Sequence, residues 1–226
     1  MLLDVLMGSG TFLDKLLYIL ILVFCVFLSL SVHELSHGLA AYLMGDETAK
    51  RSGRLSLNPL HHIDPFGALC LFLFGFGWAK PVMVNPWNFK KKKAGMVVTS
   101  LAGPVSNFIV AFIALLIARI LGGIQFSSSD SFVFDFATVC YVICTYLVSL
   151  NIGLGVFNLI PIPPLDGSKI LNAILPQRIY FKIMEYERYG FLVLILLLYT
   201  GLLDGVLSKV SGGIISFYNM IIGLFI

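Results

Sequence analysis

Long apolar stretches separated by short charged segments dominate the pattern of this 226-residue chain. A helix that crosses a bilayer needs about 20 apolar residues, within a range of roughly 17–25. We therefore predict an all-α polytopic membrane protein with about five to six membrane segments, in which residues 1–226 form a single domain. The predicted segments are residues 12–44, 94–121, 136–160, 189–207 and 210–226, of which the last is the shortest.

Two shorter segments depart from this pattern. Residues 66–79 are apolar but number only 14, include three glycines and have basic residues on both sides. A full crossing would place those basic residues on opposite sides of the membrane, so we predict a re-entrant element, with a short helix as the alternative. Residues 54–58 alternate between polar and apolar side chains, which predicts a short β-like stretch after the first helix.

Composition excludes a soluble enzyme and a disordered chain. Hydrophobic residues make up 58% of the sequence and charged residues 12%. Soluble domains carry about 25% charged residues, which they need to cover their surface. The few charges of this chain therefore belong to loops and to a functional site.

The positions of Lys and Arg predict an orientation. Twelve of the 15 basic residues lie in residues 50–54, 80–93 and 169–188. Because basic residues concentrate in cytoplasmic loops, we expect a multi-pass protein of the cell membrane with these segments in the cytosol and the N-terminus outside. The run Lys90–Lys93 is then a topology signal or a contact with anionic lipid, and we expect no nucleic-acid partner.

The segment His-Glu-Leu-Ser-His at residues 33–37 carries the most informative chemistry. On a helix, His33 and His37 lie one turn apart on one face, so both imidazoles can bind one metal ion. Glu34 lies beside them and can take a proton from water, as in the H-E-x-x-H zinc site. Ionisable residues inside an apolar helix cost about 2.5–3.5 kcal/mol each at its centre, which favours a functional site. The alternative is a polar cluster satisfied by neighbouring helices.

A third ligand is needed, because catalytic zinc usually has three protein ligands and one open position. Asp166 follows 30 uncharged residues and three prolines, which must break the preceding helix. The broken backbone allows its carboxylate to turn towards the histidines, whereas the alternative is an aspartate that caps a helix beginning near Ser168. The other candidates near the predicted cytosolic side are His61, His62 and Asp64.

Further motifs follow in an order that resembles the site-2 proteases, a family of intramembrane zinc metalloproteases. Besides residues 33–37, the motifs lie at residues 53–65, 77–86, 101–107 and 158–167, and the resemblance extends over residues 12–175. It implies one zinc ion bound by His33, His37 and Asp166, with Glu34 as the catalytic residue. It also implies that Asn107 and Asn158 bind substrate, and it points to a compact member without PDZ or CBS domains.

The function expected from this resemblance is zinc-dependent endopeptidase cleavage within or near the transmembrane segments of membrane proteins. The expected partners are a transmembrane-helix substrate and the lipid bilayer. We expect the unwound substrate to pair with residues 54–58 or 66–79 by strand addition. A metal-ion transporter and a catalytically inactive relative that binds membrane helices are the alternatives. Transporters commonly show paired broken helices, and the sequence predicts only one.

Overall fold

The computed structural model describes residues 11–62, 64, 66–67, 70, 80–123, 131–176, 178–179, 182, 185 and 187–225. Helices dominate this part of the chain. They are α1 (Phe12–Leu43), α2 (Thr48–Arg51), α3 (Lys92–Gly123), α4 (Ser131–Asn158), α5 (Asp166–Ile174), α6 (Glu187–Tyr199) and α7 (Asp204–Ile222). Two 3₁₀ helices, Pro59–His61 and Pro86–Asn88, lie in the connections between α2 and α3.

Four of these helices are long and apolar enough to cross a membrane, which makes the chain a multi-pass membrane protein. They are α1, α3, α7 and the Phe136–Asn158 part of α4. The prediction of five to six segments was too high for the described residues, because α6 contributes only the shorter apolar helix Tyr189–Tyr199. The predicted segment 66–79 lies outside the described residues, apart from Phe66, Gly67 and Cys70.

Helix α1 begins and ends at positions that its sequence defines. Thr11 and Asp14 form a capping box, in which the Thr11 backbone N–H donates to Oδ2 of Asp14 at 2.9 Å. This pair satisfies backbone donors that the first turn of a helix leaves without partners. After the helix, Gly45 adopts a φ of +108°, a conformation that glycine tolerates best. The chain therefore turns directly after the helix that carries residues 33–37.

The core lies where α1, α3 and α4 pack against one another. Ala111, Ala114 and Ala118 are buried along one face of α3, and these small side chains allow neighbouring helices to approach closely. The outer faces of the helices expose many large apolar side chains, as expected for surfaces that contact lipid. Helix α7 packs on this core less closely, and its Tyr218 hydroxyl donates to the backbone oxygen of Phe108 at 3.1 Å.

Two sequence-based predictions differ from the structure. No strand is present among the described residues, and residues 54–58 form no ladder: Arg54 N–H donates to Ala49 instead. A strand requires a hydrogen-bonded neighbour, which alternation alone does not provide. The predicted segment 189–207 is divided, because the chain turns at Gly201 with a φ of +67° and α7 begins at Asp204.

Candidate metal centre

The two histidines of α1 converge as their spacing predicts. His33 and His37 are both buried, with 5% and 7% of their surface exposed. Their Nε2 atoms lie 3.0 Å apart, and the two rings meet edge to face. One helical turn therefore brings two imidazole nitrogens to a common point.

Asp166 brings a carboxylate to the same point from 133 residues further along the chain. Its Oδ2 atom lies 3.2 Å from Nε2 of His33 and 3.0 Å from Nε2 of His37. Asp166 is the first residue of α5, and the structure shows no side-chain cap there. Burial raises the pKa of Asp166, but the two imidazoles, which donate to the carboxylate when protonated at Nε2, and Lys169 lower the pKa well below its usual range.

Hydrogen bonding determines which nitrogen of His37 faces the cluster. Its Nδ1 atom lies 2.7 Å from the backbone oxygen of Thr99, which can only accept, so Nδ1 carries the proton. In a neutral imidazole, Nε2 then presents a lone pair. That lone pair faces the carboxylate of Asp166 at 3.0 Å, which is repulsive unless a cation lies between the two atoms.

A metal ion supplies the positive charge needed between the imidazoles and the Asp166 carboxylate better than a proton does. One proton can bridge only one pair of atoms, whereas the three atoms of His33, His37 and Asp166 lie 3.0–3.2 Å from one another. The ligand atoms of a tetrahedral zinc, with bonds of about 2.0–2.1 Å, are separated by about 3.3–3.4 Å. A small expansion of the triangle therefore fits zinc, and the three residues form a candidate metal site.

Gly103 of α3 makes room for the two imidazoles. A Cβ atom at this position would lie 2.4 Å from Nε2 of His37 and 2.6 Å from Cε1 of His33. Any side chain would therefore collide with the rings. The glycine allows α3 to approach α1 closely enough for Thr99 to bind His37.

Glu34 lies beside the three residues in a cavity of about 310 Å³. The backbone N–H of Val82 donates to its Oε2 atom at 2.8 Å. This bond holds one carboxylate oxygen and leaves the other available to the cavity. The cavity is also lined by residues of the connection before α3, by the first turns of α3 and by the end of α4: Pro81, Val84, Pro86, Met96, Thr99, Ser100 and Asn158.

Lys169 binds the second oxygen of Asp166. Its Nζ atom donates to Oδ1 at 3.2 Å, and the lysine side chain is 42% exposed. Because Oδ1 has this partner, Oδ2 alone faces the two imidazoles. The arrangement favours a carboxylate that binds the metal through one oxygen.

The two asparagines predicted to bind substrate lie in different environments. Asn158 lines the cavity, and its Nδ2 donates to the backbone oxygen of Leu154 at 3.0 Å. Asn107 is fully buried, and it is not among the described residues that line the cavity. The substrate-binding role of Asn107 stays a prediction from the resemblance, and its buried position away from the described cavity lining favours another role.

The other third-ligand candidates lie elsewhere. His62 is buried and its Nε2 donates to the backbone oxygen of Ser56 at 2.8 Å, which ties together the segment after α2. Asp64 accepts from the backbone N–H of Gly67 at 2.9 Å. His61 is exposed. Of the candidates, Asp166 is the one that the structure brings to His33 and His37.

Sequence reasoning missed three contributors to the site. Thr99 and Val82 act through backbone atoms, so no side-chain pattern could have identified them. Lys169 could have been found, because it lies three residues after Asp166 on a helix, a spacing that places side chains together.

The chain is similar to known metalloproteases. Residues 136–199 match the model for "Peptidase family M50". The chain is 42% identical over 183 residues to "Putative zinc metalloprotease YwhC" of Bacillus subtilis, covering 80% of this chain and 81% of that protein. It is 29% identical over 184 residues to "Putative zinc metalloprotease Rip2" of Mycolicibacterium smegmatis, covering 78% of this chain and 66% of that protein. No solved structure matches the chain significantly.

Apolar helices long enough to span a membrane, together with a candidate metal site and a neighbouring glutamate, are the features of an intramembrane metalloprotease. The similarity to YwhC extends over four-fifths of both chains, which identifies the family. The chain belongs to peptidase family M50, the zinc metalloproteases of the site-2 type. Zinc, the metal in the names of both relatives, fits the triangle formed by His33, His37 and Asp166.

Proposed function

We propose that this protease hydrolyses peptide bonds within or near the transmembrane helices of its substrates, at a centre formed by His33, His37 and Asp166. The observation that carries the proposal is the convergence of their three ligand atoms within 4.8 Å of one another, inside the cavity that Glu34 lines. Two neutral imidazoles and one carboxylate are the ligand set of many catalytic zinc sites. No described feature favours metal-ion transport over hydrolysis.

Glu34 has the position of a general base. Zinc bound at the centre supplies Lewis acidity, which acidifies water and polarises a carbonyl group. Glu34 would take the proton as water attacks the scissile carbonyl carbon, and would then give it to the departing amine nitrogen. The Val82 N–H holds Oε2 and so orients the carboxylate for both transfers. Asn158, at the cavity wall, would hold the substrate backbone or its developing oxyanion.

A substrate helix must unwind before it can react, because its carbonyl groups are hydrogen-bonded within the helix. The connection before α3 offers a surface for such a segment. Val82 and Val84, two residues apart, both line the cavity and belong to no helix. We propose that the unwound substrate lies along this connection, in place of the 54–58 stretch suggested by the sequence, which does not line the cavity in the described structure.

The substitution Glu34→Gln tests the mechanism. Purified protein reconstituted with a labelled single-span membrane substrate should lose cleavage by at least about 100-fold, since glutamine cannot take a proton. Zinc content, measured by elemental analysis, should stay at one ion per chain, because Glu34 is not among the three converging residues.

Glu47→Gln is the matched control, because Glu47 is exposed and pairs only with Arg51 among the described residues. Its activity should equal that of the unaltered protein. Equal cleavage by the Glu34→Gln protein would remove Glu34 from the mechanism. An unaltered protein that binds zinc and cleaves no membrane substrate would favour the inactive relative.

We further propose that the active site opens towards the cytosol and that the N-terminus lies outside, as the basic residues predict. The two ends of α3 provide the test, because Lys91 lies just before it and Gly123 ends it. Cysteines placed at these two positions, in a chain whose four native cysteines are replaced, should differ in labelling. An impermeant thiol reagent should label position 123 on intact cells and position 91 only after permeabilisation. The reverse pattern would invert the topology.

A further inference from the structure

A layer of buried polar side chains lies next to the metal centre, deeper within the helices. It consists of Ser29 of α1, Asn107 of α3 and Asn151 of α4, each 0% exposed. Asn151 Nδ2 donates to the Ser29 hydroxyl at 2.8 Å, and that hydroxyl donates to the backbone oxygen of Cys25 at 2.7 Å. Three helices thus each contribute one polar group to an otherwise apolar core.

The register of α1 against α3 places this layer one helical turn from His33. His37 contacts Thr99, and Gly103 lies against His33 and His37, so the two helices run antiparallel. One further turn leads from His33 back to Ser29 on α1, and from Gly103 on to Asn107 on α3. Asn107 therefore lies on the face of α3 that packs against α1, one turn beyond Gly103.

Several polar atoms in this region have no protein partner among the described residues. They include Nδ1 of His33, both amide atoms of Asn107 and Oδ1 of Asn151, and the hydroxyls of Ser31 on α1 and Thr99 on α3 are unpartnered as well. A buried polar atom without a partner costs about 1–3 kcal/mol. Donors and acceptors are balanced in this group, because His33 Nδ1–H and Asn107 Nδ2 donate, whereas the two carboxamide oxygens accept. Buried water commonly joins such atoms, making two to four hydrogen bonds.

Without such a water, the imidazoles of His33 and His37 would differ in the hydrogen bonds made by their Nδ1 atoms. A histidine that binds metal through Nε2 carries its proton on Nδ1 and donates it to a carboxylate, a carbonyl oxygen or a water. His37 donates to Thr99. Within the described part of the chain, His33 Nδ1 has no protein partner, and Asn107 offers an unpaired acceptor one turn along the paired helices.

We propose that Asn107 is a positioning residue for His33. Its carboxamide oxygen accepts a hydrogen bond from a buried water that itself accepts from His33 Nδ1–H. These two hydrogen bonds hold the proton on Nδ1 of His33 and aim its Nε2 lone pair at the metal. The proposal rests on the zinc centre proposed above, and it gives Asn107 a role on the ligand rather than on the substrate.

Three variants test the role of Asn107, with zinc affinity measured by competition with a chromogenic chelator. Asn107→Leu removes the acceptor and should weaken zinc binding about 10–100-fold, the usual cost of losing such a partner. Asn107→Asp retains an acceptor oxygen, so its zinc affinity should stay close to that of the unaltered protein. The visible spectrum of the Co²⁺-substituted protein should change in Asn107→Leu and be restored in Asn107→Asp.

Asn151→Leu is the matched control, because it also removes a fully buried amide from the same layer. We expect both leucine variants to lower the thermal unfolding midpoint, and Asn151→Leu to leave zinc affinity and the Co²⁺ spectrum near those of the unaltered protein. Equal loss of zinc affinity in both leucine variants would show that the loss comes from disturbed packing of the buried layer, and it would overturn the proposal. Unchanged affinity in Asn107→Leu would overturn it as well. An unaltered protein without zinc affinity would instead refute the zinc centre itself.

Discussion

At the scale of single residues, the metal centre depends on an absent side chain as much as on the ligands. Gly103 faces both imidazoles, and a Cβ atom there would lie 2.4 Å from Nε2 of His37, the atom that should bind the metal. Glycine normally weakens a helix interior by about 0.5–1 kcal/mol relative to alanine. Here that cost accompanies a close approach of α3 to α1 that no other residue allows.

We therefore predict that Gly103→Ala displaces the two imidazoles and lowers both zinc affinity and cleavage by at least about 100-fold, a loss of about 2.7 kcal/mol or more in each. Chelator competition and the reconstituted cleavage assay provide the measurements. Gly122→Ala is the matched control, since the same helix is changed and the nearest atom, on Tyr141, would lie at an ordinary 3.7 Å. If Gly103→Ala binds zinc normally, the rings are more mobile than the packing indicates.

At the scale of elements, Asp46 ties the end of α1 to the connection that forms one wall of the cavity. This fully buried carboxylate accepts hydrogen bonds from the backbone N–H of Asn85 at 2.6 Å and from Nδ2 of Asn88 at 2.8 Å. It also accepts from the Thr48 hydroxyl and backbone N–H. The connection before α3 is thus attached to α1 and its end at two places. The Val82 N–H binds Glu34, and Asn85 and Asn88 bind Asp46.

Asp46 should make stability depend on pH. Burial raises its pKa, but the hydrogen bonds from Thr48, Asn88 and Asn85 together lower the pKa below its usual value. A lowered folded-state pKa contributes stability above the unfolded value of about 3.9, and this stability is lost as the pH falls through the folded value. We predict that Asp46→Asn lowers the free energy of unfolding by about 1–3 kcal/mol at pH 7, because an amide cannot accept all four bonds.

The measurement is denaturant titration in detergent micelles over a range of pH. The difference between Asp46→Asn and the unaltered protein should be constant above about pH 5 and should shrink below about pH 4. Glu47→Gln, next to Asp46 but exposed, should change stability by no more than about 1 kcal/mol. A difference that stays constant down to the lowest pH would show that the charge of Asp46 is not what stabilises the connection.

At the scale of the whole molecule, the metal should join parts of the fold that lie far apart in sequence. His33 and His37 belong to α1, whereas Asp166 begins α5, and both helices pack against α3. Without a cation, the Nε2 lone pair of His37 faces a carboxylate at 3.0 Å. Zinc should therefore stabilise the packing of α5 against the helices.

We predict that removing zinc with a chelator lowers the thermal unfolding midpoint and that added zinc restores it. A ligand at 100 times its dissociation constant stabilises the folded state by about 2.7 kcal/mol. Asp166→Ala should respond to neither treatment, because it lacks one of the three converging ligands. Identical midpoints for the metal-free and zinc-loaded proteins would mean that the metal does not link these elements.

Features that depend on local periodicity follow from the amino-acid sequence alone. Apolar stretches predicted α1, α3 and α4 because a bilayer-spanning helix requires a run of that length. The spacing of His33 and His37 placed both on one face, since four residues make about one helical turn. Family resemblance then supplied the chemistry, which the similarity to YwhC supports.

Features that depend on which helices meet, and how closely, follow only from tertiary packing. The residues alone favoured Asp166 over His61, His62 and Asp64, and the resemblance implied it as the third ligand. Packing across 133 residues is what brings its carboxylate to the histidines. The tautomer of His37 depends on a backbone oxygen 62 residues away, and the support of His33 depends on the register between α1 and α3. These contacts cannot be read from periodicity, because periodicity describes the face of one helix and not which neighbour approaches that face, or how closely.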